Sequence, residues 1–188
     1  DVLEGRKNGD PANKVSLYRN NGDNTFSNVS KEMGLWETYG YGLAVTVSDL
    51  NGDGYQDIYF SNDFTENDYC FLNQQGKYFK ESIREVANHT AFYAMGTDIA
   101  DINNDGLEDI MSVEMLPDDY WRAKVSMSPM VRGAQWDEYF TSGRVHVQYM
   151  QNMLQLNRGN GFLSDVAQFA GVKSTDWSWA VLMSDFDN

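Results

Sequence analysis

The sequence is poor in the residues that build disulfide frameworks, zinc clusters and nucleic-acid surfaces. One cysteine, Cys70, cannot form an internal disulfide, and with only two histidines the chain has no Cys/His zinc cluster. Lys and Arg total 14 against 28 Asp and Glu, and this charge of −14 excludes a phosphate backbone or an anionic membrane surface as partner. No apolar run approaches the roughly 20 residues that span a bilayer. We therefore expect no nucleic-acid partner and no direct membrane insertion.

The sequence is rich in acidic residues, and many of them are clustered. Hydrophobic residues make up 41% of the 188, which is enough to bury a core, so general disorder is excluded. Residues 49–57 and 101–109 both read D-x-N-x-D-G-x-x-D, and a third copy opens at Asp185 and is cut at residue 188. The spacing of these acidic loops predicts an internal repeat.

A second landmark repeats with the acidic loops. Asn20, Asn73 and Asn157 each close an apolar stretch and precede a turn, and they lie 53 and 84 residues apart, while the acidic loops start 52 and 84 residues apart. Two independent landmarks that share one spacing indicate a true internal repeat and not a chance match. The repeats occupy approximately residues 15–63, 68–115 and 152–188, the last truncated, and the extra length is an insertion at residues 116–146.

Each repeat is predicted to hold four short strands. In the first repeat these are residues 15–20, 26–29, 41–48 and 57–61, which are rich in β-branched and aromatic residues and are separated by turns. The fold class is therefore all-β, a β-propeller of four-stranded blades with about three blades present and incomplete. A β-sandwich with two similar loops is the alternative. Closure needs further blades, so we expect a longer source protein, with any export signal removed or upstream.

The insertion is expected to be partly helical or irregular. Asp118 and Asp119, which follow Pro117, can start a short helix. The insertion is rich in aromatic and Arg/Lys side chains, which either pack on the propeller or bind a ligand.

The acidic loops offer only oxygen ligands. Side chains at positions 1, 3, 5 and 9 and the backbone carbonyl at position 7 suit Ca²⁺ better than Zn²⁺ or Mg²⁺. An EF-hand needs Glu at position 12, where this chain has Phe60 and Ser112. A solvated Asp/Asn/Gly turn is the alternative. Two Ca²⁺ sites and the start of a third are predicted, with the ligands Asp49, Asn51, Asp53, Tyr55 and Asp57; Asp101, Asn103, Asp105, Leu107 and Asp109; and Asp185 and Asp187.

These motifs resemble the FG-GAP and VCBS repeat families, which include the repeats of integrin α-subunit propellers. The first unit follows the order of the integrin repeat, with Tyr41-Gly42 first, then a strand, the acidic loop and an apolar strand. At the position of Tyr41-Gly42, the second unit has Tyr93-Ala94 and the third has Trp177-Ser178. The Asn-x-Gly hairpin and the Asp-Phe-Asp-Asn loop are most similar to bacterial VCBS proteins of the ASPIC/UnbV-associated type. The resemblance implies a Ca²⁺-loaded propeller in an exported or surface-anchored protein.

The predicted function is that of a calcium-stabilised binding or scaffold segment, without catalytic residues. We expect an extracellular, cell-surface or periplasmic location and an unknown protein or glycan ligand. The alternative is a propeller-based carbohydrate-active enzyme, a polysaccharide lyase or hydrolase. Neither His89 nor His146 lies near a nucleophile motif, while Glu114, Asp118 and Asp119 could supply an acid/base pair.

Overall fold

The computed structural model describes residues 14–35, 38–64, 66–127 and 146–186. Short strands dominate these residues, as the sequence predicts. The strands are β1 Tyr18–Asn20, β2 Phe26–Asn28, β3 Tyr41–Ser48, β4 Asp57–Asp63, β5 Tyr69–Asn73, β6 Phe79–Glu81, β7 Thr90–Ala91, β8 Gly96–Ala100, β9 Asp109–Val113, β10 Gln148–Tyr149, β11 Met153–Asn157 and β12 Leu163–Asp165. The helices are α1 Ile83–Val86, α2 Tyr120–Met127 and α3 Ala167–Ala170.

Two four-stranded antiparallel sheets form the body of the described chain. Blade 1 has the strand order β3-β4-β5-β6, and blade 2 has the order β8-β9-β11-β12. In blade 1, β3 and β4 pair from Tyr41 opposite Asp63 to Ser48 opposite Asp57, with an irregularity between Gly42 and Ala44. Two such sheets side by side confirm the predicted fold class, an incomplete β-propeller of four-stranded blades.

The blades and the sequence repeats are out of phase. Blade 1 joins the third and fourth strands of the first repeat to the first two strands of the second repeat. The strands predicted at residues 15–20 and 26–29 form a separate hairpin, β1-β2, in which the first strand is three residues long. Grouping all four strands of one repeat in one sheet is therefore a wrong interpretation, because sequence similarity does not reveal which strands share hydrogen bonds.

The insertion leaves blade 2 intact. Strands β9 and β11 are neighbours although the insertion separates them in sequence. The chain returns through β10, which pairs in parallel with β7 on the connection between the blades. Helix α2 follows Asp119, whose carboxylate accepts a 2.7 Å hydrogen bond from the Arg122 N–H, so the predicted short helix is present with an N-terminal cap. Residues 128–145 lie outside the described residues.

One apolar core holds the two blades together. Its buried side chains come from both blades and from α1: Leu50, Tyr59, Cys70, Ile83, Val86, Ala87, Ile110 and Leu163. Cys70 is 1% exposed, as the sequence predicts for a small buried side chain. Strand β3 lies beside β8, where the Thr46 hydroxyl donates a 3.1 Å hydrogen bond to the Thr97 carbonyl.

Residues 177–184 lie against blade 2 without forming a strand. The Met183 N–H donates a 2.7 Å hydrogen bond to the Asp98 carboxylate, and Val181 and Met183 pack on a buried cluster of blade 2. A Cβ on Gly96 would lie 2.8 Å from the Trp179 carbonyl oxygen, so the backbone at Trp179 packs directly on the backbone of β8. Among the described residues, no helix is long and apolar enough to cross a membrane.

Candidate metal-binding loops

The two acidic loops occupy equivalent places in the two blades. Residues 49–57 connect β3 to β4, and residues 101–109 connect β8 to β9. Because β3 and β8 are neighbours, both loops lie at the same end of the sheets. The predicted ligands of each loop therefore lie in one nine-residue connection between the first two strands of a blade.

Inside the first loop, the side chains at positions 1, 3 and 5 accept hydrogen bonds from the loop backbone. The Asp53 N–H donates 3.0 Å hydrogen bonds to Asp49 Oδ1 and to Asn51 Oδ1. Asp49 Oδ2 accepts from the Gly54 N–H at 2.8 Å, and Asp53 Oδ1 accepts from the Tyr55 N–H at 2.9 Å. These contacts hold the oxygens of Asp49 and Asn51 within reach of the same nitrogen.

The second loop repeats this scheme atom for atom. The Asp105 N–H donates to Asp101 Oδ1 at 3.1 Å and to Asn103 Oδ1 at 3.0 Å. The Gly106 N–H donates to Asp101 Oδ2 at 2.8 Å, and the Leu107 N–H donates to Asp105 Oδ1 at 2.9 Å. The shared sequence motif therefore specifies a shared three-dimensional arrangement.

Backbone conformation explains two of the loop residue types. Position 6 is Gly54 or Gly106, with φ of 88° and 83°, the left-handed region in which glycine costs least. Position 4 is Gly52 or Asn104, with φ of 71° and 58°. Asn tolerates this region better than most residues, so the two loops keep one conformation with different residues at position 4.

The ninth position differs from the others because it is buried. Asp57 and Asp109 are 0% exposed, whereas Asp53 and Asp105 are exposed. Burial raises the pKa of both carboxyls, and the other two carboxylates of each loop raise that pKa further. Hydrogen bonds from backbone N–H groups lower the pKa and so oppose the shift.

Each buried carboxylate ties its loop to the blade. Asp57 accepts from the Leu50 N–H at 3.0 Å and from the Asn73 N–H at 2.7 Å. Asp109 accepts equivalent bonds from the N–H groups of Ile102 and Asn157, at 3.1 Å and 2.8 Å. Position 9 therefore closes the loop and joins it to the third strand of its blade.

The donor set fits a hard divalent cation by its chemistry. Every candidate ligand atom is a carboxylate, amide or carbonyl oxygen, and an oxygen that accepts one N–H keeps a second lone pair. Among the described residues, however, no three Asp, Glu, His or Cys side chains are placed so that they could hold a metal ion together. The predicted ligand sets also include the side chain of Asn51 or Asn103 and the backbone carbonyl of Tyr55 or Leu107, which are not Asp, Glu, His or Cys side chains.

The third predicted site is represented by Asp185 alone. This residue is exposed, and Asp187 lies outside the described residues. A cleft of about 280 Å³ separates the start of the second loop from this segment, between Asp101 and Asp185. The third site stays a prediction.

The other candidate residues lie in different environments. Glu114 is 0% exposed, whereas Asp118 is exposed and Asp119 caps α2. His89 bonds the Asp165 carboxylate at 3.1 Å, and His146 bonds the Ala87 carbonyl at 2.8 Å. His146 therefore joins the end of the insertion to the connection between the blades, and His89 joins that connection to β12 of blade 2.

The sequence landmarks Asn73 and Asn157 end β5 and β11, and their side chains hydrogen-bond to the acidic loops. The Asn73 side-chain amide donates to the Gln56 carbonyl at 3.0 Å, and that of Asn157 donates to the Glu108 carbonyl at 3.3 Å. Their matching period is the signal that could have placed them beside position 9. No sequence signal indicates the buried carboxylate of Asp68, which accepts a 2.8 Å hydrogen bond from the Tyr59 hydroxyl.

Comparison with known proteins identifies the repeat. A family model described as FG-GAP-like repeat matches residues 1–60 and again residues 49–112. Integrin alpha-6 of Gallus gallus is 40% identical over 89 residues, which cover 41% of this chain but only 8% of the integrin. The finer resemblance to VCBS proteins of the ASPIC/UnbV-associated type stays a prediction. Because the two matches together span residues 1–112 of 188, the chain belongs to the FG-GAP-like repeat family.

Proposed function

We propose that this chain is a calcium-stabilised part of a propeller that acts as a binding or scaffold module. Its membership of the FG-GAP-like repeat family and its similarity to an integrin α chain support a binding module built from propeller blades. A protein or a glycan is the proposed ligand. The excess of acidic residues disfavours nucleic acid.

The observation that supports calcium is the identical hydrogen-bond scheme of the two acidic loops. The half-buried carboxylate of Asp49 and the exposed carboxylate of Asp53 lie in one turn, and no Lys or Arg ion pair to them is present among the described residues. Like charges held this close repel, and a divalent cation relieves that repulsion. Ca²⁺ sites of extracellular modules bind in the 10⁻⁴–10⁻³ M range, which fits a proposed extracellular, cell-surface or periplasmic location.

Thermal unfolding with and without calcium tests this proposal. A ligand that binds only the folded state adds about 2.7 kcal/mol at a hundredfold excess over its Kd, so chelation should lower Tm by several degrees. Asp53→Ala and Asp105→Ala should each remove one bound ion in native mass spectrometry and part of the Tm shift. Asp23→Ala is the matched control, because Asp23 caps an exposed turn outside the loops. Identical melting curves in EGTA and in about 10 mM CaCl₂, a hundredfold excess over a Kd of about 10⁻⁴ M, would contradict a calcium role.

The enzyme hypothesis has less support. Glu114 and Asp68, two carboxyls whose pKa values burial raises to about 8 and about 7, are both 0% exposed and therefore do not face a substrate cleft. Turnover of a polysaccharide panel, retained in Asp53→Ala and Asp105→Ala, would favour a carbohydrate-active enzyme over the binding module.

A further inference from the structure

The side chain of Asn157 contacts both acidic loops. Its amide nitrogen donates one hydrogen bond to the Leu50 carbonyl in the first loop, at 2.8 Å, and another to the Glu108 carbonyl in the second loop, at 3.3 Å. Its carbonyl oxygen accepts from the Gly159 N–H at 3.0 Å, which fixes the orientation of the amide. An amide nitrogen has two N–H groups, so one side chain bridges two blades.

Leu50 occupies a sensitive place in the first loop. It lies between two candidate ligands, Asp49 and Asn51, and its own N–H donates to the buried carboxylate of Asp57. Any shift of the Leu50 backbone therefore moves the ligands at positions 1 and 3 and the anchor at position 9 together. Leu50 is 8% exposed and Asn157 is 6% exposed, so water cannot readily replace the bond between them.

The bonds form a continuous connection between the two anchor carboxylates. Asp57 accepts from the Leu50 N–H, the Leu50 carbonyl accepts from the Asn157 side chain, and the Asn157 N–H donates to Asp109. Each link is between 2.8 and 3.0 Å long. The connection joins residues 107 positions apart in the sequence.

Asn73 provides a natural comparison. It is the equivalent residue of blade 1, its N–H donates to Asp57, and its side chain donates to the Gln56 carbonyl and accepts from Gly76. These contacts all lie within blade 1. Asn73 and Asn157 thus share the local contacts, and the bond to Leu50 is what distinguishes Asn157.

We infer that Asn157 is a positioning residue that couples the two acidic loops, so that a change in one loop, including cation binding, changes the other. The part that concerns the cation rests on the proposed function. The link itself is a property of the chain and can be measured without metal.

Hydrogen exchange of the full chain in EGTA tests the link. Asn157→Ala should raise amide exchange about fivefold or more in residues 49–57 as well as in residues 101–109. The matched variant Asn73→Ala loosens the first loop directly, so it should raise exchange in residues 49–57 and, through the intact Asn157 link, less strongly in residues 101–109. Unchanged protection of β4 and β9 shows that neither variant unfolds the blades. If Asn157→Ala is unstable, Asn157→Asp keeps the size and the acceptor oxygen of the side chain but replaces both N–H donors with a charged acceptor, which cannot bond the Leu50 and Glu108 carbonyls.

Titration with Ca²⁺ tests the functional consequence. Asp105→Ala disables the second loop, and we expect the first loop to bind Ca²⁺ about fivefold more weakly as a result, within the usual range of coupling between sites. In an Asn157→Ala background, Asp105→Ala should no longer change the affinity of the first loop. In an Asn73→Ala background the dependence should persist.

The outcomes separate this inference from the calcium proposal. Exchange changes confined to residues 101–109 in Asn157→Ala, or two Ca²⁺ sites that stay independent in the unmodified chain, would overturn the coupling and leave the calcium proposal intact. Failure of the unmodified chain to bind Ca²⁺ would contradict the calcium proposal, and the exchange measurement would still decide whether Asn157 links the loops.

Discussion

The buried carboxyl group of Glu114 should make the stability of this chain fall as the pH rises towards neutrality. Glu114 follows β9 and is 0% exposed, and neither of its carboxylate oxygens accepts a hydrogen bond of normal geometry from the described residues. Burial raises its pKa from 4.5 to about 8, although the nearby N–H groups of Leu116, Met115 and Tyr93 oppose the shift. The carboxylate of Asp63 raises the pKa further.

The sign and size of the effect follow from proton linkage. Between pH 5 and pH 7 the folded state keeps the Glu114 proton while the unfolded state has lost it, so the folded state binds more protons. The free energy of unfolding then falls with rising pH by about 1.4 kcal/mol per unit, or roughly 3 kcal/mol over the two units. A glutamine at this position cannot titrate and removes this dependence.

Urea denaturation of the unmodified chain and of Glu114→Gln at pH 5, 6 and 7 measures the effect. The absolute stability of the variant also depends on how its amide group is hydrogen-bonded, but that contribution does not vary with pH. The informative quantity is therefore the difference in unfolding free energy, which should shift in favour of Glu114→Gln by roughly 3 kcal/mol from pH 5 to pH 7. Ser112→Ala, at another buried but neutral position, should show a difference that is constant with pH. A constant difference for Glu114→Gln as well would refute the reasoning.

Two further predictions concern packing and loop anchoring. Asp57→Asn replaces a buried acceptor of two N–H groups, from Leu50 and Asn73, with a group that has one acceptor oxygen, so it should cost about 2 kcal/mol in urea denaturation with and without calcium. A loss seen only with calcium would contradict an anchoring role. Gly96→Ala places a Cβ 2.8 Å from the Trp179 carbonyl oxygen and should cost roughly 1–3 kcal/mol, measured as a lower Tm. An unchanged Tm would show that residues 177–184 do not pack on β8.

The sequence predicts the blade elements well where a motif repeats. The strand predicted at residues 41–48 coincides with β3, because it carries the aromatic and small residues that recur before each acidic loop. The strand predicted at residues 15–20 shrinks to Tyr18–Asn20, since its one paired neighbour in the described chain is the three-residue β2. Strand length depends on the partner strand, and that information lies elsewhere in the chain.

For the candidate site, the sequence names the ligands but not their different roles. Positions 1, 5 and 9 are all Asp, yet Asp57 is buried and anchors the loop while Asp53 is exposed. The burial of position 9 arises from packing against the next strand of the blade, which residue spacing does not encode. The bond from Asn157 to Leu50 joins different blades and is visible only once the blades are side by side.

The division of roles within each loop has a consequence for cation binding. The backbone of the first loop is held by hydrogen bonds to Asp49, Asn51 and Asp53 and by the buried anchor Asp57. A site whose ligands are already ordered loses little conformational entropy when it binds, so a cation would mainly relieve repulsion between carboxylates. Chelation should therefore lower the stability of the blades while leaving their fold unchanged, and the Asp57 anchor should hold the loop in place in both states.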